Sequence, residues 1–513
     1  MKKAISLLTA LLLVFSCIPC LAEEDAGPAR LTFTYQSDGR KDTSGNYTAV
    51  CYYSDSYFSH SAAQYDPSLA TMSVSLAMAA FSRDGGGWSV KYENAAALLR
   101  DMGFPEESIC YNSFFAETPR ADSIAVITGN KPVTVNGQPC TLIALAVRGG
   151  NYSLEWISNF TLGPEGTHAG FAKAGDDALD FLKGYISEQG ITGPVKIWVT
   201  SYGRGAAVAN LLGAALDEGA LSDTGILCTP EDIFVYCFEC PAGAVRAEIT
   251  DPSLYGNIFN ILNRNDPVPY LAPGILDFCR YGTDVYLPEP DPYAGDYEAA
   301  RSRMLSIFCS LDSVEPGMDL SFRLNKFPFL GVPAAGRNSA SDAGEDVHPL
   351  LTQGIFLQSV TDHLAGEIVG SRKIYAAEYE DAVEIFFYAL VGWSGSSIDR
   401  LFSSLLRQAK EDAVPFSLGL LWDAVFGADG SGKRTGTLVD QWLRQALRDA
   451  AVPENDAVAL MNAMPVLFDA LFRFFTRHPG EVITLLLNAE QLGDSHRQEL
   501  CYSWLASMDP NYR

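Results

Sequence analysis

Val195-Lys-Ile-Trp-Val-Thr-Ser-Tyr-Gly-Arg-Gly-Ala-Ala-Val-Ala-Asn-Leu-Leu212 decides the fold. Val195 to Thr200 is a short apolar, β-branched run, the pattern of a strand buried on both faces. Gly205 to Leu216 is rich in Ala and Leu, the pattern of a helix. Between them, Ser201-Tyr202-Gly203-Arg204-Gly205 must reverse the chain within a few residues. Small residues are what so tight a strand-to-helix turn demands, and glycine at its apex takes dihedrals that strain other residues.

The same alternation extends in both directions. Leu142 to Val147 is a second continuous apolar run, ending at Arg148-Gly149-Gly150. Gly170 to Ile186 carries helical spacing, and Phe234 to Phe238 and Ile258 to Leu262 read as further strands. Short strands are expected at Thr32 to Tyr35 and Ala49 to Tyr53, and helices at Leu69 to Phe81 and Asn94 to Met102. Apolar strands alternating with helices predict an α/β fold, a mostly parallel sheet with helices on both faces. After Pro273 the pattern changes. Residues from about 284 to 348 are rich in Pro, Asp, Gly and Ser, and the chain from about 350 to 490 reads as helix, an insertion or cap.

The 513 residues carry a formal net charge of −26 with 48% hydrophobic residues. So acidic a surface repels phosphate backbones and excludes a nucleic-acid-tracking role. Lys2, Lys3 and the apolar run from Leu7 to Phe15 read as an export segment over residues 1–22, with lipid attachment at Cys17 as the alternative. No later run is long and apolar enough to span a bilayer. Cys237 and Cys240 form a C-x-x-C inside a strand-like run, where side chains three apart point to opposite faces. That predicts buried fillers rather than a metal or redox pair. No metal or cofactor motif emerges. Gly427-Ala-Asp-Gly-Ser-Gly-Lys433 mimics a phosphate loop, but Arg434 stands where Ser or Thr should bind magnesium and no buried strand precedes it.

The turn and its surroundings resemble the class 3, fungal-lipase-like α/β-hydrolases, in their bacterial secreted branch. That family leads a strand through G-[HY]-S-[LR]-G into a helix beginning Ala-x-Ala-Asn-Leu. Here the pattern is S-Y-G-R-G, with Gly203 where the nucleophilic serine would stand. Leu142 to Gly150, Glu155-Trp156 and His168-Ala-Gly-Phe171 resemble the family's oxyanion strand and loop, its tryptophan and its H-x-G-F segment. Phe238-Glu-Cys-Pro241 resembles its F-G-x-P, and Asn263-Arg-Asn-Asp-Pro-Val-Pro269 its N-x-x-D-x-V-P. Tyr53 to Phe58 and Tyr65 to Ala70 resemble the N-terminal segment of bacterial members.

The resemblance implies acyl transfer on a lipid or ester ligand: a serine attacks, a histidine takes its proton and an aspartate orients the histidine. Asp266 is the implied orienting acid. Family order places the histidine after it, favouring His496 in the C-terminal segment over His363 in the helical insertion. His348 and His478 read as solvated. His168 and Trp156 are expected to serve the scaffold. Backbone N–H groups of Gly149, Gly150 and Arg204 are the implied oxyanion donors. Ser201 lies two residues early and is a poor substitute nucleophile.

The implied organisation is residues 1–22 as export segment, 23–283 as hydrolase core with an N-terminal extension, and 284–485 as loop-rich then helical cap. Residues 486–513 return the histidine to the core. The expected function is a lipase-like protein, catalytically degenerate, that keeps an ester-binding pocket. Alternatives are an active serine esterase or lipase using Ser201 or another serine, and an extracellular binding or adhesion protein.

Overall fold

A computed structural model describes residues 27–37, 46–81, 92–112, 124–149, 159, 166–263, 266–272, 277–287, 297–315, 356–364 and 473–512, with isolated positions at 317–318, 320, 366–367 and 444–458. The expected export segment, Gly150, Trp156, His348, the loop 427–433 and most of the expected cap lie outside these residues.

Strands β1 (Ala29–Gln36) and β2 (Asn46–Tyr53) pair antiparallel as a separate hairpin. The main sheet comprises β3 (Cys110–Tyr111), β4 (Val126–Val135), β5 (Gln138–Val147), β6 (Gly193–Tyr202), β7 (Ile226–Leu227), β8 (Ile233–Phe238), β10 (Ile258–Asn263) and β12 (Thr283–Leu287). Its order is β12-β10-β8-β6-β5-β4-β3, with β7 beside β6. Pairing is parallel from β12 through β5 and antiparallel from β5 to β4 and β3. Two short strands, β9 (Ala244–Val245) and β11 (Phe278–Cys279), pair antiparallel outside it.

Helices cover both faces because alternate residues of the central strands point oppositely. Ile143, Leu145, Val147, Ile197, Val199 and Val235 pack with α3 (Ala169–Glu188) and α4 (Arg204–Asp217). Leu142, Ala144, Trp198, Phe234 and Tyr236 pack on the other face, with α1 (Pro67–Ala80), α2 (Glu93–Asp101), α5 (Tyr297–Ser310) and the terminal helix α8 (Gln498–Met508). This is an α/β-hydrolase arrangement, a mostly parallel sheet sandwiched by helices. Local signals set the helix ends. Asp66 caps α1 by accepting from Ser68 and Leu69 N–H at 2.8 and 3.1 Å, with Pro67 at the first helical position.

Three expectations change. The core does not end at residue 283, because β12 spans 283–287 and joins the sheet edge parallel to β10. Beyond it α5 lies on the core within a stretch read as loop, burying Tyr297, Ala300, Met304 and Phe308 at helical spacing. The C-x-x-C reading also shifts. Glu239 has φ +50°, which ends β8 before Cys240. Strand alternation therefore no longer separates the two thiols; both are fully buried, and Cys240 Sγ donates to Pro241 O at 3.3 Å. All nine cysteines after residue 22 are free. Among the described residues, no helix is long and apolar enough to cross a membrane.

Asp217, at the end of α4, sets a pH dependence for the fold. Asn257 Nδ2 donates to its Oδ1 at 2.9 Å, while Oδ2 is buried with no hydrogen-bond partner. Burial pushes this carboxyl up to about 7, against the smaller opposing effect of the Asn257 bond. The folded value lies above the unfolded one of about 4, so folding favours the protonated form. Its stabilising contribution is full at low pH and is lost as pH rises from about 4 through 7. Asp217→Asn should remove that slope and raise stability at pH 8 by roughly 2 kcal/mol. Urea midpoints at pH 5 and pH 8 test this, and an unchanged difference between them in the variant contradicts the assignment.

Candidate active site

Gly203 sits at the apex between β6 and α4 with φ +58° and ψ −128°, a conformation costly to any residue with a Cβ. Its N–H donates to Phe238 O at 2.9 Å, pinning the apex to the end of β8, and its carbonyl accepts the first helical bond from Ala206 N–H at 2.9 Å. Gly203 is thus the single residue between the end of β6 at Tyr202 and the start of α4 at Arg204, a sharp strand-to-helix turn.

His496 faces this apex. It ends α7 (Ala489–Ser495), which follows α6 (Pro479–Leu487). A methylene placed on Gly203 would stand 3.2 Å from His496 Nε2 and 3.5 Å from Cε1. His496 Nδ1 lies 2.5 Å from Asp266 Oδ2. An ionised carboxylate only accepts, so Nδ1 carries the proton and Nε2 turns its lone pair toward Gly203.

Asp266 is fully buried just past β10, and its Oδ1 accepts from Val268 N–H at 2.8 Å. The histidine's backbone is held on both sides. Asn263 Nδ2 donates to Ser495 O at 3.3 Å and Tyr202 OH donates to His496 O at 3.2 Å. Tyr202 also sets its ring 5.3 Å from the imidazole.

Ser201 points elsewhere. It is fully buried and its Oγ donates to Val147 O at 2.7 Å, into the β5 side of the turn. Gly205 shows why that side is tight, since a Cβ there would overlap Ser201 Oγ and stand 2.6 Å from Arg148 O. Gly149 approaches the elbow as closely. A Cβ on it would stand 3.1 Å from both Tyr202 O and a Phe81 ring carbon. Gly149 thus lies against Tyr202, and Arg204 follows Gly203 as the first residue of α4.

His168 caps α3 by accepting from Phe171 N–H at 3.3 Å, stacks on Phe171 at 3.9 Å, and its Nε2 lies 2.9 Å from Asn159 O. Burial holds its imidazole below the usual histidine range, which suits a scaffold residue. Sequence reasoning missed Glu239. It lies fully buried behind Asp266 with both carboxyl oxygens 3.0 Å from Asn263 N–H. Burial and the neighbouring Asp266 push its carboxyl well above the usual range. The available signal was an acidic residue where the resembled F-G-x-P has glycine.

His363 takes Glu481 rather than Asp266 as its partner, with Nδ1 2.7 Å from Oε1. His478, expected to be solvated, is half-buried and stacks on the His363 ring. The donors of His363, His478 and Glu481 lie within 4.8 Å of one another, close enough for a metal ion. The two rings are nearly parallel, however, at 4.1 Å and 20°. Imidazole lone pairs lie in the ring plane, so stacked rings do not aim at one point. The grouping is two imidazoles beside one buried carboxylate.

No family model matches the chain, and no curated protein matches it. Among solved structures it is similar to a lipase from Rhizopus microsporus var. chinensis, with 14% identity, 32% of this chain and 58% of that one covered, and a TM-score of 0.23. A mutant form of MDLA from Penicillium cyclopium gives 20% identity, 32% and 60% coverage, and 0.22. M37 lipase gives 14%, 43% and 68%, and 0.25. The chain thus spans 58% and 60% of the first two. Scores this low carry no argument, and the fold assignment rests on strand order and the elbow.

Proposed function

We propose that this is a lipase-like ester-binding protein whose hydrolase site lacks its nucleophile. One observation carries the reading: a hydrogen-bonded Asp266–His496 pair presents Nε2 to an elbow apex that is glycine. That is the geometry for deprotonating a serine at 203, with no serine there to deprotonate. Ser201 does not replace it, because its Oγ is spent on Val147 O.

An apolar acyl group is the favoured ligand. Leu271, just past the Asp266 turn, is 58% exposed, and Ile483 and Leu487, one helical turn apart on α6, are 37% and 56% exposed. They form apolar surface along the segments that deliver the acid and the histidine. The export segment read at residues 1–22 would put that ligand outside the cytoplasm.

The wild-type chain should hydrolyse short- and long-acyl p-nitrophenyl esters no faster than buffer, and fluorophosphonate should leave Ser201 unlabelled. Ser201→Ala should change neither result. Hydrolysis that Ser201→Ala abolishes would sink this reading in favour of an active esterase.

A further inference from the structure

Glu239 combines two unfavourable features. Its φ of +50° is one of three positive values at non-glycine positions among the described residues, and its side chain is fully buried. Left-handed backbone is costly for any residue with a Cβ, and a buried carboxyl adds a desolvation cost. Glycine would avoid both. Strain of this kind persists where the side chain serves something specific.

What the side chain touches is the support of the Asp266–His496 pair. Asn263 N–H donates to both of its oxygens, and the Asp266 carboxyl and the Cys501 thiol lie beside it, Asp266 pushing its carboxyl up. Asp266 in turn holds His496 through Oδ2 and accepts from Val268 N–H through Oδ1. Two carboxyls in contact in a dry site do not both ionise. Asp266 has an imidazole N–H and an amide N–H to stabilise charge, whereas Glu239 has one amide and a thiol. The negative charge therefore belongs on Asp266 and the shared proton on Glu239.

We infer that Glu239 is a positioning residue, a neutral carboxylic acid whose O–H donates to Asp266 and fixes the carboxylate that orients His496. It keeps a single negative charge beneath the imidazole and weakens Asp266 as a proton acceptor, so it holds down the pH at which His496 protonates. The inference rests on the Asp266–His496 reading of the site. Other titratable groups facing this region are Tyr202 from β6 and, from α8, Cys501 and Glu499. Glu499 accepts a hydrogen bond from Ser37 Oγ and lies 4.0 Å from Arg497.

NMR titration of His496 in the full chain labelled with ¹⁵N-histidine tests it without requiring catalysis. A far-downfield Nδ1 proton on His496 in the wild type is expected, and its absence would overturn the Asp266–His496 pair itself. With the pair present, Glu239→Gln keeps a neutral donor and should leave the His496 midpoint within about 0.3 pH of wild type. If Glu239 were ionised, this change would delete a charge and lower the midpoint by about 1 pH or more, overturning the inference. Glu239→Met removes the donor at similar volume and should raise the midpoint by about 0.5 pH or more. A folded Met variant that titrates like wild type also overturns it. If the Met variant does not fold, the two exclusive outcomes of the Gln variant still decide.

Discussion

Gly203→Ser should convert the protein into a fluorophosphonate-reactive esterase, with hydrolysis on the order of 10³-fold or more above wild type. The scale comes from the reverse experiment in serine hydrolases, where removing the nucleophile costs up to ~10⁶ in kcat. The proposed base and its orienting acid are in reach: the Cβ position lies 3.2 Å from His496 Nε2, and Asp266 already holds Nδ1. A 3.2 Å contact is slightly tight, so the imidazole must give by a few tenths of an ångström. Its side chain is 25% exposed and ends a short helix, which leaves room to do so. The serine must also accept φ +58°, costing about 1–3 kcal/mol, so the variant should melt below wild type as it gains activity.

Ser201 need not be changed, although the S-Y-G-R-G order invites swapping both residues. Its Oγ bonds Val147 O on the far side of the turn, so adding Ser201→Gly should alter the rate less than about tenfold. Adding His496→Ala should return the rate to background. A folded Gly203→Ser variant that stays inert and unlabelled means the apex, the base or the oxyanion donors have been misassigned.

The sequence foretold the central strands for a physical reason. Strands buried on both faces must be apolar throughout, so Leu142 to Val147 and Val195 to Thr200 read without ambiguity. Strand β4 escaped because Gly129-Asn-Lys-Pro132 breaks its pattern. Lys131 is nevertheless buried, donating to Met102 O at 2.6 Å and pairing with Asp55 at 2.7 Å. Strand β12 escaped because Asp284 reads as loop. That carboxylate is held by Arg280 through bonds of 2.9 and 2.6 Å, partners that no local window reveals. The apolar stripe of α5 was present but short, flanked by Pro- and Asp-rich sequence.

The site was legible in a different way. Asp266 and His496 are 230 residues apart, and no periodicity connects them. Only the order of motifs in a resembled family paired them, and the geometry brings them together. Glu239 was illegible on both counts. Its acidic side chain is hidden within an apolar strand end, and its partner is a carboxyl, where sequence reading expects a cation.

Gly205→Ala should be the most damaging single methyl group in the elbow. The cause is contact and not conformation, since Gly205 lies inside α4 without a positive φ. A Cβ there would overlap Ser201 Oγ and press on the Arg148 carbonyl, 2.6 Å to its oxygen and 3.0 Å to its carbon. A side chain can turn away, but the carbonyl belongs to the backbone that leaves β5 and cannot move without disturbing the sheet. The expected loss is about 3 kcal/mol, the upper end of ordinary overpacking. Gly213→Ala, further along α4, is the control. Its new Cβ meets Val235 methyls at 3.0 and 3.1 Å, which a rotamer change can relieve in part, so its cost should be smaller. Adding Ser201→Gly to Gly205→Ala should recover about 1 kcal/mol and no more, because the carbonyl contact remains. Urea midpoints at constant m-value measure all three. Full recovery in the double variant would show that Ser201 alone crowds the turn. An unchanged midpoint for Gly205→Ala would show that α4 does not enter the elbow as closely as these contacts require.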